Sequence, residues 1–348
     1  MARKCIYAGV RTSRKFATII PSIRATVLVA CCLVWMPPPR PLQFVRDPKY
    51  AFPGASQSLE NQVIKRLQRA LNFFFRAIAT VFLGNLFLKA RCMKLYYRKL
   101  GDGPPLVILH GLLGSSDNWF TLGRRFAQEH QVFLVDLRNH GRSPHSPIFN
   151  FRAMAGDILQ LLHDEALAQA RVLGHSLGGK VAMTLALEHP DVVEKLVVVD
   201  IAPRAYAPAH LPFISAMAQL DFSQIRNREQ ADAALAPHVP DPTIRAFLLK
   251  NLRRLDNGRY SWKVNLKALQ ENLEEIYQPV SATVPFTGPT LFVRGARSDY
   301  IREEDKKLIL KLFPSARIVT ISKAGHWVHA ENPEEFYQVV RDFLISDQ

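Results

Sequence analysis

Acidic residues are nearly missing from the first hundred positions of this 348-residue chain, and none occurs in residues 1–46. Cysteine is scarce as well. The four present, Cys5, Cys31, Cys32 and Cys92, all precede residue 93. The rest of the chain therefore has no disulfide framework and no thiolate set for a zinc site. No fixed-period repeat is visible, which sets aside solenoid and propeller architectures. Unbroken apolar runs of the ~20 residues that a bilayer span needs are also lacking. The run Ala25 to Met36 is too short, and a span over residues 70–88 would have to carry Arg76.

The formal charge of +15 first suggests a polyanion as partner. Its distribution argues otherwise. Residues 1–99 hold 18 basic and two acidic side chains, a balance of +16, whereas residues 100–348 hold 27 basic and 28 acidic ones, a balance of −1. A near-neutral body offers no electrostatic footprint for nucleic acid. The basic, Ser/Thr-bearing, acid-free stretch 1–46 has the composition of a transit peptide, which predicts a mitochondrial address. A plastid address or a secretory, membrane-associated one is the alternative. Residues 47–92 read as a Pro-rich linker followed by a helix. Within 62–88, Lys65, Arg66, Arg69 and Arg76 share one face, and Leu71, Phe74, Phe75, Ile78 and Phe82 cover the other. Such a helix suits a membrane surface. A helix packed on the domain, or removed with the leader, is the competing reading.

From residue 93 to 348 the pattern changes. Met93 to Arg98 alternates as a strand does. Short apolar runs follow at Leu106–Leu109, Val132–Leu137, Arg171–Leu173, Lys195–Val199, Thr290–Val293 and Arg317–Ile321, mostly separated by helical periodicity. That alternation predicts a mostly parallel sheet covered by helices on both faces. Residues 203–287 break the rhythm: they read as several helices with no clear strand, a helical lid inserted between two sheet strands.

Gly174-His175-Ser176-Leu177-Gly178 has the G-x-S-x-G form, with a strand before it and a helix after. This is the context of a nucleophile elbow, a strained turn that exposes the serine hydroxyl at the sheet edge. A serine needs a base within hydrogen-bond reach. His326, in Ala324-Gly325-His326-Trp327 after the last strand, is the candidate, with His329 as its rival. Two residues compete as the orienting acid. Asp200 ends an apolar strand, and Asp299 follows the next one, although the usual spacing after Gly295 would place the acid at position 298, which is Ser298. The oxyanion hole requires two backbone donors. Leu177, opening the elbow helix, and Leu112, in His110-Gly111-Leu112-Leu113-Gly114, are the expected pair. His110, and the loop Asp136 to Ser143, read as scaffold. Apolar lid residues such as Phe213, Phe247 and Trp262 suggest an acyl pocket.

The segments HGLLGSSDNW, DLRNHGRSPHS, GHSLGGK, VVVDIAP and GHWVHAENP occur in this order with lid-sized spacing. Together they resemble the α/β-hydrolase superfamily, and within it a group of small bacterial esterases with eukaryotic mitochondrial relatives. The resemblance covers residue 93 to the end. It implies a serine esterase, lipase or thioesterase that takes an acyl ester or thioester and uses neither metal nor cofactor. It also implies that the acid can follow the strand before the lid, which favours Asp200. The rival functions on this fold are a C–C bond hydrolase, an acyltransferase, and an inactive membrane-tethered interaction module.

Overall fold

The computed structural model describes residues 93–346; the leader expected at 1–46, the linker and the amphipathic helix expected in 47–92 lie outside the described residues. Each short apolar run becomes a strand, and most gaps between them become helices. In chain order the first half runs β1 (Tyr97–Leu100), β2 (Pro105–Leu109), α1 (Phe120–Phe126), β3 (Gln131–Val135), α2 (Phe151–Asp164), β4 (Ala170–His175), α3 (Leu177–Glu188) and β5 (Val193–Val199). The insertion carries α4 (Leu211–Ala218), α5 (Arg228–Leu235), α6 (Pro242–Leu248), β6 (Leu252–Arg254), β7 (Tyr260–Trp262), α7 (Leu266–Glu271) and α8 (Leu273–Tyr277). The chain then completes β8 (Thr290–Gly295), α9 (Asp305–Leu312), β9 (Ala316–Ile321), α10 (Val328–Glu331) and α11 (Pro333–Ile345).

Seven strands form one sheet in the order β1-β3-β2-β4-β5-β8-β9. All neighbours pair in parallel except β1, which runs antiparallel along β3. Alternation along the strands divides the core. Val107, Phe133, Val172, Val198 and Phe292 pack toward α2, α3 and α9. Their neighbours Ile108, Leu134, Leu173, Val197 and Leu291 pack toward α1 and α11. Such strands are apolar on both faces because helices cover both faces. Full burial of each of these side chains contributes about 1.5–3 kcal/mol, so the strand ends that carry the loops are firmly fixed. β1 begins later than expected, at Tyr97, as an edge strand only half buried.

One expectation for the insertion fails. The lid is not purely helical: β6 and β7 form an antiparallel hairpin, Arg253 opposite Ser261 and Arg254 opposite Tyr260. Strands of three residues are too short to show alternation, and two arginines hide one of them. The cue was the Asn257-Gly258 turn, where Gly258 adopts φ +78°.

The lid leaves and rejoins the sheet through one narrow neck. Tyr206 N donates to the Tyr277 carbonyl at 3.0 Å, and Val280 N to the Pro203 carbonyl at 2.7 Å. Lys180, one turn past Ser176 on α3, fastens both sides of it. Its Nζ donates to the carbonyls of Arg204 at 2.8 Å and Gln278 at 2.5 Å. Burial and the nearby Arg204 push this ammonium down to about 7. Among the described residues no helix is long and apolar enough to cross a membrane.

Candidate active site

The turn between β4 and α3 brings backbone segments too close for side chains. A Cβ on Gly174 would lie 2.1 Å from the Gly178 carbonyl oxygen, and one on Gly178 would lie 2.6 Å from the carbonyl oxygens of Leu109 and His110. Glycine is therefore obligatory on each side of Ser176. The serine itself takes φ 52° and ψ −115°, a conformation costly for any residue with a Cβ. Backbone strain of this kind presents its hydroxyl above the sheet edge.

His326 reaches that hydroxyl from the loop after β9. Its Nε2 lies 3.1 Å from Ser176 Oγ, and its Nδ1 lies 2.8 Å from Asp200 Oδ2. A carboxylate can only accept, so Nδ1 carries the proton and Nε2 is left to accept from the serine. Asp200 is fully buried at the end of β5, at φ 51°. Its Oδ1 accepts from Gly295 N at 3.0 Å, and its Oδ2 accepts from Ser298 Oγ at 2.5 Å as well as from His326. The structure thus joins Ser176, His326 and Asp200 in one hydrogen-bonded chain.

Asp299, the alternative acid, is not part of that chain. It is exposed, and the contacts it makes are through its backbone carbonyl, which accepts from Arg204 and Arg302. Position 298, where the usual spacing would put the acid, instead supplies a hydroxyl that holds Asp200. His329 is also no rival base. It lies on the separate turn α10, not in α11, buried and stacked on Trp119 at 4.1 Å. Burial pushes its imidazole down to about 3.

Two supports of the imidazole were not foreseen. His175 Nε2 donates to the His326 carbonyl at 2.9 Å, tying the elbow to the base-bearing loop. Burial and the neighbouring His326 and His329 hold His175 far below the ordinary histidine range, so it stays neutral. On the other face, the Tyr300 ring stacks on His326 at 3.9 Å. The GHS triplet was the only sequence cue to the first, and nothing local marked the second.

The expected oxyanion donors lie on either side of Ser176. Leu177 opens α3, so its N–H has no acceptor within the helix. Leu112 sits in the turn closed by the bond from Gly114 N to the Gly111 carbonyl at 3.0 Å. Gly111 backs directly onto the serine: a Cβ there would stand 3.3 Å from Ser176 Cβ. Three buried side chains hold this loop. His140 Nε2 accepts from Leu113 N at 3.1 Å, Asn251 Nδ2 donates to the Leu113 carbonyl at 2.7 Å, and His110 Nδ1 donates to the Gly111 carbonyl at 2.8 Å. The loop after β3 is scaffold, as read. Asp136 accepts from Ser116 N and Arg142 N, at 2.6 and 2.8 Å. Arg138 makes a bidentate pair with Asp157, at 2.6 and 2.7 Å, with both side chains fully buried.

Ser176 stands where two cavities meet. The larger, about 550 Å³, has walls from Trp119, Phe213, Ile244, Phe247 and Trp327 and also takes in His326. The smaller, about 300 Å³, is lined by Lys180, Arg204, Tyr206, Tyr277 and Arg302. An apolar lobe, and a second lobe in which Lys180, Arg204 and Arg302 share the walls with Leu177, Ile201 and Ile276, thus flank one hydroxyl. That is an arrangement for an ester with an acyl chain on one side and an oxygen-bearing group on the other.

Comparison with known proteins agrees with this geometry. The Alpha/beta hydrolase family model matches residues 106–339. The chain is 42% identical over 265 residues to the sn-1-specific diacylglycerol lipase ABHD11 of Mus musculus, covering 73% of this chain and 86% of that protein. It is 36% identical to Esterase YbfF of Escherichia coli strain K12, over 70% of this chain and 94% of the relative. Among solved structures, a marine microorganism esterase superposes with a TM-score of 0.71 at 39% identity, covering 72% of this chain and 99% of the other. On this fold, these relatives and the serine-bearing elbow, the chain belongs to the alpha/beta hydrolase family as a carboxylic ester hydrolase.

Proposed function

We propose that Ser176 is the nucleophile, His326 the general base and then acid, and Asp200 the orienting carboxylate. Ser176 attacks the ester or thioester carbonyl while His326 Nε2 takes its proton. The Leu112 and Leu177 N–H groups receive the charge that develops on the carbonyl oxygen. His326 returns the proton to the departing alcohol or thiol. Water, deprotonated by the same imidazole, then releases the acid from Ser176. Asp200 fixes the tautomer and stabilises the imidazolium. The single observation that carries this reading is the unbroken chain Asp200–His326–Ser176 at the junction of the two cavities.

The size and lining of the larger cavity support an apolar acyl chain, and the name of the mouse relative points to an acylglycerol as substrate class. The experiment is an ester series read with wild type and Ser176→Ala. Removing the nucleophile is expected to lower kcat about 10⁶-fold and to abolish fluorophosphonate labelling. Labelling of the variant at the wild-type level would sink the assignment. The mitochondrial address assigned to residues 1–46, and the membrane-surface role assigned to 62–88, rest on composition. A reporter fused to residues 1–46 that stays cytosolic would refute the first.

A further inference from the structure

Lys250 lines the larger cavity, and the hairpin of β6 and β7 begins two residues beyond it. Over residues 250–263 the chain places Lys250, Arg253, Arg254, Arg259 and Lys263 against a single acid, Asp256. That local excess of +4 sits in a body whose balance over residues 100–348 is −1. Among the described residues none of these five cations forms an ion pair. Arg253 Nε donates to Ser261 Oγ, Arg254 Nε to the Gly258 carbonyl and Lys263 Nζ to the Lys250 carbonyl, all neutral acceptors. Arg125, Arg171, Arg245 and Arg341 elsewhere on the domain each have a carboxylate, and those that do not, such as Arg226, Arg228 and Arg294, are scattered rather than grouped on one hairpin. The hairpin turn also exposes an aliphatic side chain, with Leu255 37% exposed.

The base of the hairpin is tied to the site by hydrogen bonds. Asn251 bonds the Leu113 carbonyl, Lys263 N donates to the Asn251 carbonyl at 2.8 Å, and Trp262 Nε1 donates to the Met217 carbonyl at 2.8 Å. Unpaired cations grouped around an exposed leucine, fixed beside the mouth of an apolar cavity, match a surface of phosphates with hydrocarbon beneath it. We infer that the hairpin of residues 250–263 docks the domain on an anionic phospholipid bilayer, with Leu255 entering the interface and the cavity mouth facing the lipid. This rests on the ester-hydrolase reading of the site, and it is independent of residues 1–92.

Charge complementarity favours this occupant over a protein partner. The cations are spread along a short hairpin rather than gathered in one pocket, and the acylglycerol class proposed above resides in membranes. Each Lys or Arg brought to an anionic surface raises partitioning roughly fivefold.

The test uses the full chain, with Arg253→Glu/Arg254→Glu/Arg259→Glu beside the matching triple Lys variant and the single change Leu255→Ser. Wild type and all variants are expected to hydrolyse a soluble p-nitrophenyl ester equally. Hydrolysis of a diacylglycerol in phosphatidylglycerol vesicles is expected to fall at least tenfold for the Glu variant and severalfold for Leu255→Ser, and to stay at the wild-type level for the Lys variant. Vesicles of phosphatidylcholine alone should remove the difference. A tryptophan introduced by Leu255→Trp should be quenched by brominated lipid, beyond the quenching of the wild-type tryptophans, which separates hairpin insertion from any contact made by the basic leader. Equal vesicle hydrolysis by the wild type and the Glu variant, or no added quenching at position 255, would overturn the proposal. Loss of duplex DNA retention by the Glu variant with no change on vesicles would overturn it in favour of another polyanion. Failure of the wild type on the soluble ester would instead overturn the reading of the site itself.

Discussion

Strands β2 to β5 and β8 bury almost every residue they contain, whereas the lid is assembled from helices of five to eight residues and a hairpin, with many positions open to solvent. The sheet region carries the residues proposed to react. Ser176, Asp200 and His326 all follow strands, and their positions are held by buried side chains and backbone bonds. The lid delivers surface: Phe213, Ile244 and Phe247 close the larger cavity. On the proposed function, chemistry that needs placement within a fraction of an ångström is assigned to the buried sheet, and recognition of a pliant acyl chain to the more exposed lid. A rim of buried histidines, His110, His140, His175 and His329, lies at the boundary, packed under the reacting groups.

Four tests would break or sharpen this contrast. The largest effect is expected where the sheet carries the acid. Asp200→Asn should lower kcat about 10⁴-fold, because the imidazole loses its tautomer and its counter-charge. Asp299→Asn should stay within about twofold, and the reverse result in an ester assay would move the acid off β5.

Next comes the buried pair in the same region. Asp157→Ala leaves Arg138 charged and enclosed, a loss of about 3–5 kcal/mol measurable by urea unfolding. Glu271→Ala, at the exposed lid pair with Lys267, should cost less than about 1 kcal/mol. Equal losses would erase the distinction between firm scaffold and soft lid.

Acid should strike the histidine rim, and His210 in the lid, before the sheet. Burial lowers His140 and His329 to about 3, and His210 to about 4. The folded protein therefore keeps these rings neutral, while the unfolded chain protonates them below about pH 6.5. Stability is full above that pH and declines as pH falls from about 6.5 toward the folded values, by up to ~1.4 kcal/mol per pH unit for each ring. His329→Phe, which keeps the stack on Trp119 and removes a ring nitrogen with no partner, should flatten the decline of Tm between pH 7 and 5. An unchanged slope would refute the assignment.

The smallest effect is expected in the lid. Phe247→Ala should reduce kcat/KM for long acyl esters about tenfold and for acetate esters hardly at all, with Tm nearly constant. A uniform loss across chain lengths would place Phe247 outside acyl recognition.

How much of this was legible depended on the distance between interacting residues. The strands could be read because each is an apolar run that needs no partner to be recognised. Ser176 could be read because its glycines answer to a local clash. Asp200 was favoured over Asp299 only through the family resemblance, since local sequence left both carboxylates open and choosing between them required knowing which strand end faces His326. Ser298 stood in plain view at the usual acid position, but its bond to Asp200 joins residues 98 apart. The bond from His175 to His326 spans 151 positions. Such long closures leave no periodic trace. The hairpin was missed for the opposite reason: its strands are so short that pairing, not composition, makes them strands.

The neck of the lid has a consequence for how such an enzyme changes over evolutionary time. Its two sides meet through the bonds between Tyr206 and Tyr277 and between Pro203 and Val280, with Lys180 clasping both. Segments whose ends already touch are the ones a fold exchanges most readily, because a replacement must match that gap and, here, the bond Asn251 makes to the Leu113 carbonyl. Ser176, His326 and Asp200 all lie outside the neck. The lid is therefore built as a cassette: a different insertion closing the same neck would change what is bound and leave Ser176, His326 and Asp200 in place.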